Sequence, residues 1–221
     1  MTLAVENLTI YDRQQRQLFQ PLNFKVNNGE VLSLMGPSGC GKSTLLSALA
    51  GHLDREFSFS GIMTLAGADI SNLEPHKRKV GILFQEDLLF PHLNVWENLA
   101  FALPNSVKGR QRQVEALAAL EKLGLESLAN SLPNQVSGGQ RARISLIRML
   151  LAKPQLALLD EPFSKLDQSL RTQFRDWIFE QLSAANIPTV MVTHDQSDVP
   201  EQGMCLVWPW NQAQKVNHHA G

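Results

Sequence analysis

The 221-residue sequence predicts an α/β layered fold. Short apolar runs of strand length alternate with stretches of helical periodicity, the pattern of helices packed on a largely parallel sheet. The most apolar runs each end where a conspicuous polar residue begins, which is where open α/β sheets place their ligands. Further strand-like segments crowd the first third of the chain with few residues between them, which predicts an antiparallel patch beside the main sheet.

In chain order, residues 3–10 ("LAVENLTI"), 22–26 ("LNFKV", followed by the turn "NNG") and 61–67 ("GIMTLAG") supply that patch. The buried strands of the main sheet are expected at 30–35 ("EVLSLM"), 79–84 ("KVGILF"), 156–160 ("LALLD") and 189–194 ("TVMVTH"). Helical periodicity covers 42–50, 95–103, 111–123, 138–152 and 168–185. In the helix at 138–152, Ile144, Ile147 and Leu151 share one face, and Arg141, Arg143 and Arg148 look elsewhere. No internal repeat or low-complexity linker interrupts the series.

Composition bounds the function. With 43% hydrophobic residues the chain can bury one substantial core, or one core with a small appended subdomain. A formal net charge of −1 gives no basic field to attract nucleic acid, so no nucleic-acid partner is expected. Neither a membrane-spanning run nor a signal peptide is visible, which predicts a cytoplasmic chain. Cys40 and Cys205 form neither a metal pattern nor a disulfide framework.

The chemistry begins at "GPSGCGKST", residues 36–44. Gly36-x-x-x-x-Gly41-Lys42-Ser43 follows a strand and opens a helix, the context a phosphate-binding P-loop requires; the competing reading is an ordinary strand-to-helix turn. Glycines let backbone N–H groups converge on an anion, the helix N-terminus adds positive potential, Lys42 reaches the β- and γ-phosphates, and the Ser43 hydroxyl can ligate Mg²⁺. Asp160 ends a buried strand as the expected Mg²⁺ partner, and Glu161 stands beside it to polarise an attacking water; the alternative is a solvated acidic pair. His194 also ends a strand and could hold that water or a γ-phosphate, although a strand-end histidine can equally be structural. A second anion-binding helix start lies at "VSGGQRAR", where Ser137 is an N-cap candidate before Gly138 and Gly139. Cys40, inside the loop, is expected to be a reactive thiolate under the helix-terminus potential.

P-loop, "SGGQ", "LLDEP", "SKLD" and a strand-end histidine, in this order, resemble the nucleotide-binding subunits of ABC transporters over nearly the whole chain. The resemblance implies a P-loop ATPase core with an antiparallel β-subdomain and an inserted helical subdomain near 86–153, within one ABC ATPase domain spanning 1–221 and lacking a C-terminal regulatory domain. ATP and Mg²⁺ are the implied cofactors. Gly36, Pro37, Ser38, Gly39, Cys40, Gly41, Lys42, Ser43 and Thr44 match the Walker A motif, Gln85 the Q-loop, Ser137, Gly138, Gly139 and Gln140 the signature, and Asp160 with Glu161 the Walker B motif and catalytic glutamate. Residues 164–167, ending in Asp167, match the D-loop, and His194 matches the switch histidine. Glu161, His194 and Gln85 are thus the implied catalytic residues, and Ser43, Gln85 and Asp160 the implied metal ligands.

The family also stacks two copies head to tail, which would explain two phosphate cradles in one chain. Val136 stands where the signature usually begins with Leu, and Tyr11 is the candidate to stack on adenine, its alignment open by about a residue. The family's closing β-hairpin and downstream acidic residue are not visible after His194. The segment "FQEDLLFPHLNVWENLAF" resembles the region where importer ATPases receive a permease helix, with Phe84, Leu88, Leu89, Phe90 and Trp96 as its apolar set; core packing is the alternative. The phrasing is most similar to small bacterial importer ATPases near those for thiamine, sulfate or metal ions. Implied partners are a second ATPase copy, separate transmembrane permease subunits and a solute-binding protein, at the cytoplasmic face of the inner membrane. An exporter or lipoprotein-release ATPase is the alternative within this chemistry, and a soluble ABC-type ATPase or an ATP-regulated scaffold outside it.

Overall fold

A computed structural model describes residues 1–164, 166, 168–201, 203–210 and 213–215, with the backbone alone at 168–170 and 213–215. The first layer is an antiparallel sheet of β1 (Thr2–Tyr11), β2 (Leu22–Asn27), β4 (Ser58–Leu65) and β5 (Ala68–Asp69), in the order β2-β1-β4-β5. The pairing register on β1 shifts between Val5 and Leu8 toward β2 and between Glu6 and Thr9 toward β4, an irregularity that falls at Asn7, whose φ is 51°.

The second sheet has the order β10-β9-β3-β8-β7-β6: β3 (Val31–Met35), β6 (Val80–Leu83), β7 (Leu156–Asp160), β8 (Thr189–Thr193), β9 (Met204–Val207) and β10 (Ala213–Lys215). Every pairing in it is parallel except β10 on β9. The carboxyl ends of β3, β6, β7 and β8 therefore share one edge, and all the expected strand-end residues are delivered to it. The helices are α1 (Lys42–Ala50), α2 (Val95–Ala102), α3 (Arg110–Glu121), α4 (Gly138–Leu151) and α5 (Gln168–Ala185).

Three apolar clusters hold these layers. One lies among the antiparallel sheet, α1 and the main sheet, with Leu3, Ile10, Leu45, Leu49 and Leu158 sealed from solvent. A second joins the other face of the main sheet to α4 and α5 through Leu146, Phe163, Phe174 and Ile178. The third belongs to α2, α3 and α4, where Ile144 packs with Val95, Leu99 and Leu120, and Ile147 and Leu151 lie against it, as the shared face on α4 predicts.

The β9–β10 hairpin corrects the sequence reading, which saw no closing hairpin. "MCLV" is only four residues long and carries no polar marker at its end, yet it pairs in parallel along β3 from Leu32 to Met35. The α2 boundary shifts for a local reason: Leu103 has an extended backbone, φ −60° and ψ 144°, and so stops the helix at Ala102.

Candidate nucleotide and catalytic site

Residues 36–41 leave β3 and enter α1 through Gly41, whose φ of 98° admits no ordinary side chain. At Gly36 a Cβ would come within 2.8 Å of the Cys40 sulfur and 3.2 Å of Trp208, so close approach fixes glycine there too. α1 starts without a side-chain cap, unlike α2 and α4, which both carry capping boxes, and it has no acidic residue in its first turn. Its N-terminus is left for an external anion. Pro37, Ser38, Gly39 and Ser43 are exposed, and Thr44 is half-buried.

Lys42 is 5% exposed, and its ammonium bonds inward, to the carbonyls of Gly36 at 2.8 Å and Pro37 at 3.0 Å. Glu161 Oε1 lies 3.8 Å from the same nitrogen. The Ser43 hydroxyl donates to Asp160 Oδ1 at 3.1 Å, which brings together the two side chains expected to serve a metal ion. Burial is the largest influence on Asp160 and pushes its carboxyl above the ordinary value; the Ser43 hydrogen bond opposes this and the neighbouring Glu161 charge adds to it.

Glu161 has a φ of 44°, a left-handed backbone rare outside glycine, and it turns the chain out of β7 just after Asp160. Its N–H bonds the Val192 carbonyl at 3.1 Å, and its own carbonyl accepts from Ser164 N at 3.2 Å and Ser164 Oγ at 2.9 Å. The carboxylate reaches His194 Nδ1 at 3.2 Å. Lys42, Ser43, Asp160, Glu161 and His194 thus form one connected cluster across the ends of β3, β7 and β8.

Other expected residues lie apart from it. Gln85 follows β6, one strand beyond β7, exposed and without a hydrogen bond among the described residues; it lines a cavity of about 470 Å³ with Asp87, Leu88, Arg141, Ser145 and Pro162. Ser137, Gly138, Gly139 and Gln140 begin α4, which packs against α2, α5 and β6. Ser137 Oγ accepts from Gln140 N at 3.3 Å while Gln140 Oε1 accepts from Ser137 N at 3.0 Å, and Ser137 and Gly138 face solvent. Tyr11 ends β1 with its hydroxyl 3.4 Å from Ser60 Oγ. Asp167 lies outside the described residues.

Two expectations need correcting. Burial pushes the Cys40 thiol up, outweighing the nearby Lys42 charge, so Cys40 is not an activated thiolate. In the apolar set, Leu89 is 8% exposed and Trp96 packs on the helical core, whereas Phe84 and Leu88 are exposed, along with Phe101, which ends the same segment. Leu89 and Trp96 are therefore core residues.

Several supporting groups were also missed. Phe19 lies beneath Gly41, and the Met35 carbonyl accepts from Trp208 N at 2.8 Å and Trp210 Nε1 at 2.7 Å, so an aromatic wall braces the base of the loop. The "WPW" at 208–210 is the signal that could have shown it. Asp87 binds Arg141 Nε at 2.7 Å, and Arg141 Nη1 reaches the Val136 carbonyl at 2.6 Å, which links the segment after Gln85 to the start of the signature.

Residues 19–164 match the family model for ABC transporters. The chain belongs to the ABC transporter ATPase family. It is an ATP-binding and ATP-hydrolysing subunit. Over 204 residues it is 47% identical to the uncharacterized ABC transporter ATP-binding protein YnjD of Escherichia coli K12, covering 92% of this chain and 94% of that one. It is 41% identical to a probable sulfate/thiosulfate import ATP-binding protein, CysA, of Chlorella vulgaris, covering 94% and 86%. A spermidine/putrescine import ATP-binding protein, PotA, of Fusobacterium nucleatum is 41% identical, covering 82% of this ABC ATPase but only 48% of that relative. The fold agrees with the family resemblance, ATPase core and subdomains alike. No helix among the described residues is long and apolar enough to cross a membrane.

Proposed function

We propose that this ABC ATPase, read as a single domain over 1–221, binds MgATP at the Lys42 cluster and drives import of a small solute through separate permease subunits. The observation that carries the reading is the convergence, on one sheet edge, of an uncapped helix N-terminus, the Ser43–Asp160 pair and the Glu161–His194 pair. Ser43 and Asp160 offer hard oxygens beside the phosphate-binding helix, a set that suits Mg²⁺. Among the described residues no group of three or more His, Cys, Asp or Glu could hold an ion by itself, so oxygens from phosphate or water would complete the shell. When bound, Mg²⁺ neutralises charge developing on the phosphates.

Within the chain, Lys42 exchanges its bonds to the Gly36 and Pro37 carbonyls for phosphate oxygens. Glu161 polarises the attacking water, and His194, in contact with it, holds that water or the γ-phosphate. Gln85 reports the state of this cluster to the cleft beside it, and Tyr11 stacks on the base.

The exposed signature start, remote in sequence from the P-loop, is read as the second half of a partner's site, in a head-to-tail dimer of two copies with Asp167 near the shared nucleotide. Phe84 and Leu88, exposed at the cleft that Gln85 lines, and Phe101, which lines a neighbouring cavity with both of them, are read as the seat of a permease helix. Leu88 holds a φ of 45° while remaining 48% exposed, a strained and solvated leucine that a partner would cover. The import direction follows the import function for which the CysA and PotA relatives are named, and with it come a solute-binding protein and a station at the cytoplasmic face of the inner membrane. The test is Glu161→Gln: MgATP affinity should stay within about twofold while kcat falls by roughly two orders of magnitude or more. An unchanged turnover would remove Glu161 from the reaction.

A further inference from the structure

Asp198 is 2% exposed, and a buried carboxylate needs partners. It has two. Arg171 of α5 grips it with both sides of the guanidinium, Nε to Oδ1 at 2.8 Å and Nη2 to Oδ2 at 2.7 Å. The Thr193 hydroxyl donates to Asp198 Oδ2 at 2.6 Å, and Thr193 is the residue immediately before His194. On the other side of His194, Asp195 donates its N–H to Thr193 Oγ1 at 3.1 Å and places Oδ2 2.9 Å from Arg171 Nη1. One guanidinium thus holds two carboxylates of the segment that follows the histidine, and Asp198 is tied back through Thr193 to the residue just before it. One turn further along α5, Arg175 Nη1 donates to the Ser197 carbonyl at 2.5 Å and ties the same loop down again.

α5 comes next in the chain after the turn at Glu161, whose carbonyl Ser164 holds. Through Arg171 the helix is fastened to the loop that follows β8, which begins with His194. We propose that Arg171, acting through Asp198 and Thr193, is a positioning residue that sets His194 against Glu161. The inference rests on the role given to His194 above.

A merely structural ion pair would cost stability and leave the catalytic effect of His194 untouched. Positioning predicts that Arg171→Gln lowers kcat about tenfold or more with KM for MgATP little changed, and that Arg171→Lys, which keeps the charge but not the planar fork, restores only part of it. In a His194→Ala background the further change Arg171→Gln should cost nothing, because contacting residues of one unit are not additive. Thr193→Val removes only the hydroxyl link, so it should lower kcat in the same non-additive way even where Arg171→Gln does not fold.

The rates are measured on purified chains below the melting onset of each variant. If the two losses multiply in the double variant, or if Arg171→Gln and Thr193→Val both turn over like the native chain, the positioning role is wrong. If His194→Ala alone is as fast as native, the histidine's own role fails first, and the inference falls with it for a visibly different reason.

Discussion

Asp160 shows how a single residue can work against its own fold. Its folded pKa lies above its unfolded one, so the proton is held more tightly in the native state. The associated stability is present below the unfolded pKa, is lost as pH rises through the folded pKa, and is at its lowest near neutrality. Asp160→Asn should therefore raise Tm at pH 7, with the gain vanishing below about pH 4, while MgATP-dependent turnover is abolished. Thermal melts at the two pH values check the first part and a phosphate-release assay the second. Cys40 is predicted from the same physics: with its thiol pushed up by burial, it should react with maleimide at pH 7 more slowly than a free peptide thiol, read by intact mass. Fast labelling would return it to the activated thiolate that its place in the loop suggested. The P-loop and the strand-end acids were legible because each is a short contiguous pattern in a defined local context. Local patterns do not show what packs around them, so the sign of the Cys40 shift, the bracing by Trp208 and Trp210, and the link from Asp198 to Thr193 were not.

At the scale of elements, periodicity located the five α-helices of the described residues because each buries one face, and α2 ends a residue early where the extended backbone of Leu103 stops it. β9 was missed because a four-residue apolar run has no period to read, and its strand character comes from pairing with β3. Arg112 shows what holds a helix end. Its guanidinium donates to the carbonyls of Ala100, Leu103, Pro104 and Val107 at 2.6 to 3.1 Å, and these close the carboxyl end of α2. Arg112→Ala should cost about 2 kcal/mol of stability, from charge-assisted hydrogen bonds lost and carbonyls left bare, measured by urea unfolding. The docking face and the helical core separate by a similar experiment. Leu89→Glu should destabilise by several kcal/mol, as an unpaired charge in a core does. Leu88→Glu should stay within about 0.5 kcal/mol of native stability and yet abolish association with membranes that carry the permease.

At the scale of the whole molecule, the P-loop N-terminus lacks a side-chain cap and the signature N-terminus is capped but exposed, and only the first belongs to the Lys42 cluster. The proposed head-to-tail pair would use each once across two nucleotides, whereas a monomer would leave the second idle. Neither the pairing nor the permease follows from spacing within one chain; the sequence suggested them only through its family resemblance, because partner surfaces are a property of what lies outside the fold. Trapping the nucleotide should reveal the pair. Light scattering on a sizing column, with the Glu161→Gln chain at micromolar concentration, compares its mass with and without MgATP. The account predicts one chain mass without nucleotide, twice that mass with MgATP, and a return to one chain mass when Lys42→Ala is added. A Glu161→Gln chain that stays monomeric while saturated with MgATP would contradict it.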